Sequence, residues 1–242
     1  MAQNQLIYNR IILKLTGQVF SSSNSLFNSP RIGKIAEEIK IIFEHGVKII
    51  IVVGGGNIFR GREVQIPGFN RNRADWMGML ATVMNAIFLE QIMALRDVKA
   101  KVFSAIKMDE VAEYYTLEKL NAALEKDEGV IIIGGGLGKP YCSTDYASMV
   151  YAIDLNAGAI LKGTKVDGLF DKDPKTNKKV NLISEISYKK AIQLGLEQIM
   201  DTSALGLAID RKENIPIHIF NIFEKGNLLR LLQGEKIGSK IY

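Results

Sequence analysis

Apolar residues follow two rhythms along this chain. Short, mainly apolar runs occupy 10–15, 49–53, 100–105, 130–133, 158–162 and 215–220. Short runs of this kind, apolar on both faces, read as strands of a largely parallel sheet covered on either side. Between them, apolar positions recur every three or four residues, as a helix packed on a core requires. Ile32, Ile35, Ala36, Ile39, Ile42 and Phe43 form one such stripe. Ser29 is expected as its N-cap, Pro30 as its first helical residue and Gly46 as its stop. A longer stretch runs from about Asp75 to Leu95, apolar on more than one face, and suits a helix in the core or at a subunit interface. Further helices are expected at 116–126, 145–155, 187–195 and 202–212. Strands alternating with helices predict an α/β fold, a three-layer αβα sandwich around a mostly parallel sheet. Residues 57–73 read as a loop, and 163–183 as the best candidate for a mobile one.

The chain has 242 residues, 47% of them hydrophobic, enough for one sizeable core. Residues 1–242 are therefore read as a single domain with two lobes. Cys142 is the sole cysteine, which excludes a disulfide framework and points to a reducing compartment. No signal-peptide pattern opens the chain, and no apolar run approaches the length of a membrane span. A cytoplasmic protein is expected. The formal net charge is +5, but the lysines are dispersed, so a nucleic-acid surface is not indicated. Lys172–Lys179, the nearest thing to a basic run, is broken by Asp173 and Pro174 and reads as a solvated loop.

Candidate chemistry gathers where apolar strands end. Residues 49–53 run into Gly54-Gly55-Gly56-Asn57, and 130–133 run into Gly134-Gly135-Gly136 and then Gly138. Glycine-rich turns let backbone N–H groups approach phosphate oxygens, so two such loops suggest two phosphate-bearing ligands, or two ends of one. Ligands of open α/β sheets sit beyond the carboxyl ends of the strands, where Lys14 and Gly17 also lie. Neither cluster is a P-loop, because Gly138-Lys139 is followed by Pro140. The first also lacks dinucleotide-binding spacing, because position 59 is phenylalanine. His45 falls at a helix C-terminus and His218 far from it in sequence, and no zinc spacing exists. Lysine, arginine, aspartate and glycine at strand ends remain, and phosphoryl transfer needs little more than cations, a metal and two substrates held in line.

Five segments occur in a specific order: Lys14-Leu15-Thr16-Gly17, Gly54 to Gly61, Asp75 to Thr82, Ser143-Thr144-Asp145 and Lys162 to Phe170. In them the chain resembles the bacterial UMP kinases of the amino-acid kinase superfamily, and the resemblance covers essentially all of it. The resemblance implies ATP and UMP as substrates, direct in-line transfer and Mg²⁺ accompanying ATP. It also implies a homohexamer, activation by GTP and inhibition by UTP. No protein ligand of the metal is implied. ATP would be bound by Lys14, Leu15, Thr16, Gly17, Gly56, Arg60, Thr164, Phe170 and Asp173. Lys14, Arg60, Asp145 and Lys162 would form the catalytic group, with Asp145 orienting the lysines. UMP would meet Gly55 and Asp75, the latter at its ribose. The segment Leu137, Gly138, Lys139, Pro140, Tyr141, Cys142, Ser143 and Thr144 would complete the UMP site.

That last segment departs from the family pattern. Leu137 replaces a threonine, Lys139 an asparagine, and Tyr141-Cys142 a pair of phenylalanines. Leu137 cannot hydrogen-bond through its side chain, so base selection stays open. Two other readings stay open as well: a sibling kinase acting on carbamate, glutamate or aspartate, and a non-catalytic nucleotide-binding regulator.

Overall fold

The computed structural model describes residues 6–171, 177, 180–195 and 200–242, with Arg62 described by its backbone alone. In chain order the elements are β1 (Arg10–Leu15), α1 (Ser29–Glu44), β2 (Lys48–Val53), α2 (Arg71–Ala94), β3 (Ala100–Ser104), β4 (Glu113–Tyr114), α3 (Leu117–Glu125), β5 (Val130–Gly134), α4 (Thr144–Asp154), β6 (Ala159–Thr164), β7 (Leu169–Phe170), β8 (Leu182–Ile183), β9 (Glu185–Ile186), α5 (Tyr188–Gln193), α6 (Thr202–Arg211), β10 (Ile217–Asn221), α7 (Asn227–Leu232) and β11 (Ser239–Ile241). Nine strands form one sheet in the order β4-β3-β5-β2-β1-β6-β10-β11-β9, and β7 pairs with β8 apart from it. Every pairing in the large sheet is parallel except that of β10 with β11.

The apolar strands are explained by two cores, one on each side of the sheet. Ile11, Leu13 and Leu15 of β1 pack with α1, α2 and α7, whereas Ile12 packs with α3, α4, α5 and α6. Successive strand residues face opposite ways, so a strand buried on both sides must be apolar at every position. Lys14 breaks that rule in β1 and Lys162 breaks it in β6, both on the α4 side. The three-layer αβα arrangement expected from the pattern is thus observed.

Local signals shift several boundaries. Asn28 rather than Ser29 caps α1, its side chain accepting from the Arg31 amide at 3.0 Å. α2 starts at Arg71, capped by Asn70, so the expected loop at 57–73 ends early and Asp75 lies inside the helix rather than at its cap. Ser143 caps α4, and Thr144 is its first residue. Within 163–183, β7 and β8 form a small hairpin where a loop was expected. By length and composition α2 could cross a bilayer, contrary to the expectation that no segment comes near. Half of its most apolar window is buried in the protein, and Ala86, Leu89, Ile92 and Met93 belong to the core shared with α1. The hydropathy of α2 is therefore that of a helix packed on the sheet.

Candidate active site

β1 and β6 are neighbours in parallel register, and Lys14 stands directly opposite Lys162. Two ammonium groups on adjacent strands of one face repel each other unless an anion lies between them. Asp145, in the first turn of α4, supplies it. Lys14 Nζ lies 2.8 Å from Asp145 Oδ1 and Lys162 Nζ lies 2.7 Å from Asp145 Oδ2. The Lys162 contact is a hydrogen bond, whereas the Lys14 contact is an ion pair off hydrogen-bonding alignment. All three groups are almost withdrawn from water, with side-chain exposures of 7%, 5% and 13% for Lys14, Lys162 and Asp145.

Burial opposes ionisation of Asp145, but the Coulomb attraction of Lys14 and Lys162 outweighs it and holds the carboxyl well below the usual range. Burial likewise pushes the Lys162 ammonium down to about 8, against the pull of Asp145. Two buried cations share one buried anion, and Asp201 adds a longer-range attraction to Lys162. The cluster lies toward the carboxyl ends of β1 and β6. The N-terminus of α4 adds its partial positive charge there.

Both glycine clusters border this cluster, for different reasons. In the first, the glycines permit close approach. A Cβ on Gly17 would stand 2.4 Å from the Gly56 nitrogen, and one on Gly55 would stand 2.7 Å from the Gly78 carbonyl oxygen. The Gly54 amide donates to the Leu15 carbonyl at 2.8 Å, while the Gly55 and Gly56 amides find no protein partner among the described residues. In the second cluster the need is conformational: Gly135, Gly136 and Gly138 have φ of +82°, +58° and +66°. Tyr141 shares that left-handed region at φ +65°, and the residue is 71% exposed.

The remaining predicted residues divide into two groups. Asp75 joins the Leu137–Thr144 segment to α2: Oδ2 accepts from the Tyr141 amide at 2.9 Å and Oδ1 from Arg71 Nε at 2.8 Å. The Arg71 guanidinium lies 5.7 Å from the centre of the Tyr141 ring. Arg60 reaches back to the Gly56 carbonyl at 2.9 Å and pairs with Glu63. Leu137 packs against the α4-side core, and Cys142 is partly buried. The Thr164 hydroxyl is spent locally, donating to the Val166 carbonyl at 2.8 Å with the Phe220 carbonyl also in reach, and accepting from the Val166 amide at 3.2 Å. Phe170 lies in the β7–β8 hairpin. Asp173, expected at the ATP nucleoside, lies outside the described residues. A cavity of about 400 Å³ opens at the far β3–β4 edge of the sheet, lined by Glu90, Lys101 and Glu113 among others, and takes no part in the lysine cluster.

Two buried polar side chains of α2 escaped the sequence reading. Asn85, 0% exposed, donates to the Gly54 carbonyl and exchanges hydrogen bonds with Asn57. Thr82, 3% exposed, accepts from the Gly135 amide at 2.6 Å. A polar residue among the apolar ones of the helix is visible in the sequence, but not the direction in which it faces.

A mostly parallel αβα sheet with paired lysines and glycine loops at its strand ends defines a class, and residues 9–221 match the amino acid kinase family. The chain belongs to that family. It is 42% identical to the uridylate kinase of Rickettsia prowazekii over 231 residues, covering 95% of this chain and 94% of that protein. Among solved structures it is similar to the UMP kinase from Bacillus anthracis, with a TM-score of 0.89 at 37% identity, covering 97% of this chain and 96% of the other. The UMP kinase from Ureaplasma parvum gives a TM-score of 0.87 at 33% identity over 96% of this chain and 98% of the other.

Proposed function

We propose that this chain is a UMP kinase, moving the γ-phosphoryl group of ATP to UMP to give ADP and UDP. The observation that carries the reading is the buried Lys14–Asp145–Lys162 cluster at the ends of β1 and β6, with both glycine loops on the β2 and β5 side of it. A phosphate monoester is largely dianionic near pH 7, its second pKa being about 6. The acceptor oxygen of UMP is thus already ionised and needs no general base. Asp145 suits none: it is held ionised and pinned by both lysines. As the γ-phosphorus forms its bond to the UMP oxygen, its bond to the β-phosphate oxygen breaks and the electron pair leaves with ADP. Charge spreads over the oxygens in flight, and the two ammonium groups face it in a site that excludes water. Lys14 stabilises that charge, Lys162 assists, and Asp145 orients both.

Gly55 and Gly56 amides would cradle phosphate oxygens of UMP and ATP respectively, and Arg60 would close on them with its guanidinium. Thr16 and Gly17 complete the ATP side; Gly138 to Thr144 complete the UMP side. Among the described residues no three His, Cys, Asp or Glu side chains converge as a metal cage. Both Asp145 oxygens already face lysines, so the donor chemistry fits Mg²⁺ carried on the phosphates and water. When bound it would supply charge neutralisation to the phosphates.

We extend the reading to a single domain spanning 1–242, a cytoplasmic location, a homohexamer, and regulation by GTP and UTP. The exposed Met77, Leu80 and Met84 on one face of α2 support a subunit contact.

The direct test measures ADP release with ATP–Mg²⁺ and each of UMP, dUMP, CMP, carbamate and glutamate. Turnover of UMP is expected. Turnover of carbamate or glutamate instead would replace the reading with a sibling kinase, and UMP binding without turnover would replace it with a regulator. Asp75→Asn is expected to raise the UMP KM about tenfold with little change in kcat, because a neutral amide accepts sugar hydroxyls more weakly than a carboxylate. An unchanged KM would remove Asp75 from the site.

A further inference from the structure

Helix α2 touches both glycine loops within three turns. Gly55 lies against Gly78, Ala81 and Thr82, where any Cβ would stand 2.7–3.0 Å from helix atoms. Gly134 lies equally close to Val83, its hypothetical Cβ 2.9 Å from the Val83 Cα. Steric contact is reinforced by directed hydrogen bonds. Asn85 Nδ2 holds the Gly54 carbonyl at 2.7 Å. Thr82 Oγ1 holds the Gly135 amide at 2.6 Å while donating to the Met79 carbonyl at 2.6 Å. The Tyr151 hydroxyl of α4 donates to the Gly136 carbonyl at 2.8 Å, fixing the second loop from the other side.

Thr82 and Asn85 are three residues apart and share one helical face. Neither is a surface residue or a helix cap. The Thr82 hydroxyl makes one donated and one accepted bond, both buried. Its partner Gly135 is a left-handed residue that opens the turn leading to Leu137–Thr144.

We propose that α2 is the common rail for both substrate loops, and that the Thr82 hydroxyl is the positioning group that sets the acceptor loop relative to the lysine cluster. Asn85 performs the matching task for the first loop. Spacing between the two phosphates then depends on one rigid element rather than on two independent turns. In-line transfer is sensitive to this distance, because a displacement of about 1 Å can cost a hundredfold in rate. The inference rests on the reading of these loops as UMP and ATP phosphate sites.

Thr82→Val preserves shape and removes the acceptor, leaving the Gly135 amide buried without its partner. Thr82→Ser keeps the hydroxyl. The test compares both with wild type by hydrogen–deuterium exchange over 133–142 and by steady-state kinetics with each substrate varied. Thr82→Val is expected to exchange faster in that segment and to raise the UMP KM about tenfold, with the ATP KM within about twofold. Thr82→Ser should restore both. Wild-type exchange and UMP KM in Thr82→Val would overturn the proposal, and so would equal losses in the valine and serine variants. Should Thr82→Val fail to fold, Thr82→Ala removes the same acceptor: faster exchange with a raised UMP KM supports the proposal, and wild-type behaviour overturns it. A wild-type chain inert on UMP would defeat the functional reading alone, since exchange at 133–142 still reports the anchoring.

Discussion

Asp145→Asn is expected to lower kcat at least about a hundredfold and to destabilise the fold by about 3–5 kcal/mol, the usual penalty for breaking a buried ion pair by removing one partner. The change is nearly isosteric, so packing is not the cause. Asp145 is the shared anion of Lys14 and Lys162. Its loss leaves two ammonium groups on adjacent strands, buried and facing a neutral amide. They would separate, or Lys162 would release its proton, and either outcome spoils the positive field at the transferring group. The pH dependence distinguishes this account from simple loss of a contact. Burial already lowers the Lys162 ammonium to about 8. In the variant the pull of Asp145 is gone and the ammonium falls further, so the deficit relative to wild type should shrink as pH rises toward about 8, the wild-type value, and level off above it. In wild type the carboxyl is depressed, so its contribution is present above the ordinary aspartate pKa and is lost as pH falls below it. Urea unfolding of both proteins at pH 6 and pH 9 reads the difference, with turnover measured at saturating ATP and UMP. A kcat within threefold of wild type would remove Asp145 from the catalytic group.

Lys14→Ala should behave differently. It is expected to lower kcat about a thousandfold, comparable to deleting a preorganised donor aimed at developing charge. UMP affinity should stay within about threefold, because Lys14 is assigned to ATP and to the transition state. Stability should change much less than in Asp145→Asn. Removing one of two cations leaves Asp145 paired with Lys162 at 2.7 Å, a neutral and hydrogen-bonded couple. Calorimetric titration with UMP, beside single-turnover kinetics, separates binding from chemistry. Parallel loss of both would contradict the assigned role. Together the two variants test whether the cluster is one anion serving two cations.

Much of this was legible in the sequence because the central strands are buried on both faces and so appear as mainly apolar runs. Lys14 was conspicuous as a charge inside such a run, and the glycine triplets as turns without Cβ atoms. The edge of the fold was less readable. β4, β7, β8 and β9 are two residues long and β11 three, too short for any periodicity to register. α7, with six residues, was also missed. The start of α2 was misplaced because its first turn, Arg71 to Ala74, is polar and resembles the loop before it. Thr82 and Asn85 were hidden by composition, since a helix apolar on several faces gives no sign of which polar residues turn inward. The Lys14–Lys162 register could not be read at all. It is a property of two strands that are far apart in the chain and become neighbours only when the sheet assembles.

That register has a bearing on folding. Side chains alternate along a strand, so sliding β6 by one residue against β1 would set Leu161 or Gly163 over Asp145 and turn Lys162 toward the opposite core, among Leu13, Ile51 and Phe220. A lone ammonium there has no counter-ion, and the misaligned sheet would pay its desolvation in full. Aliphatic strands as uniform as these offer few other marks to tell one alignment from the next. The charges proposed to guide phosphoryl transfer therefore also proofread the assembly of the sheet, so a chain that has paired its strands wrongly is disfavoured before it meets a substrate.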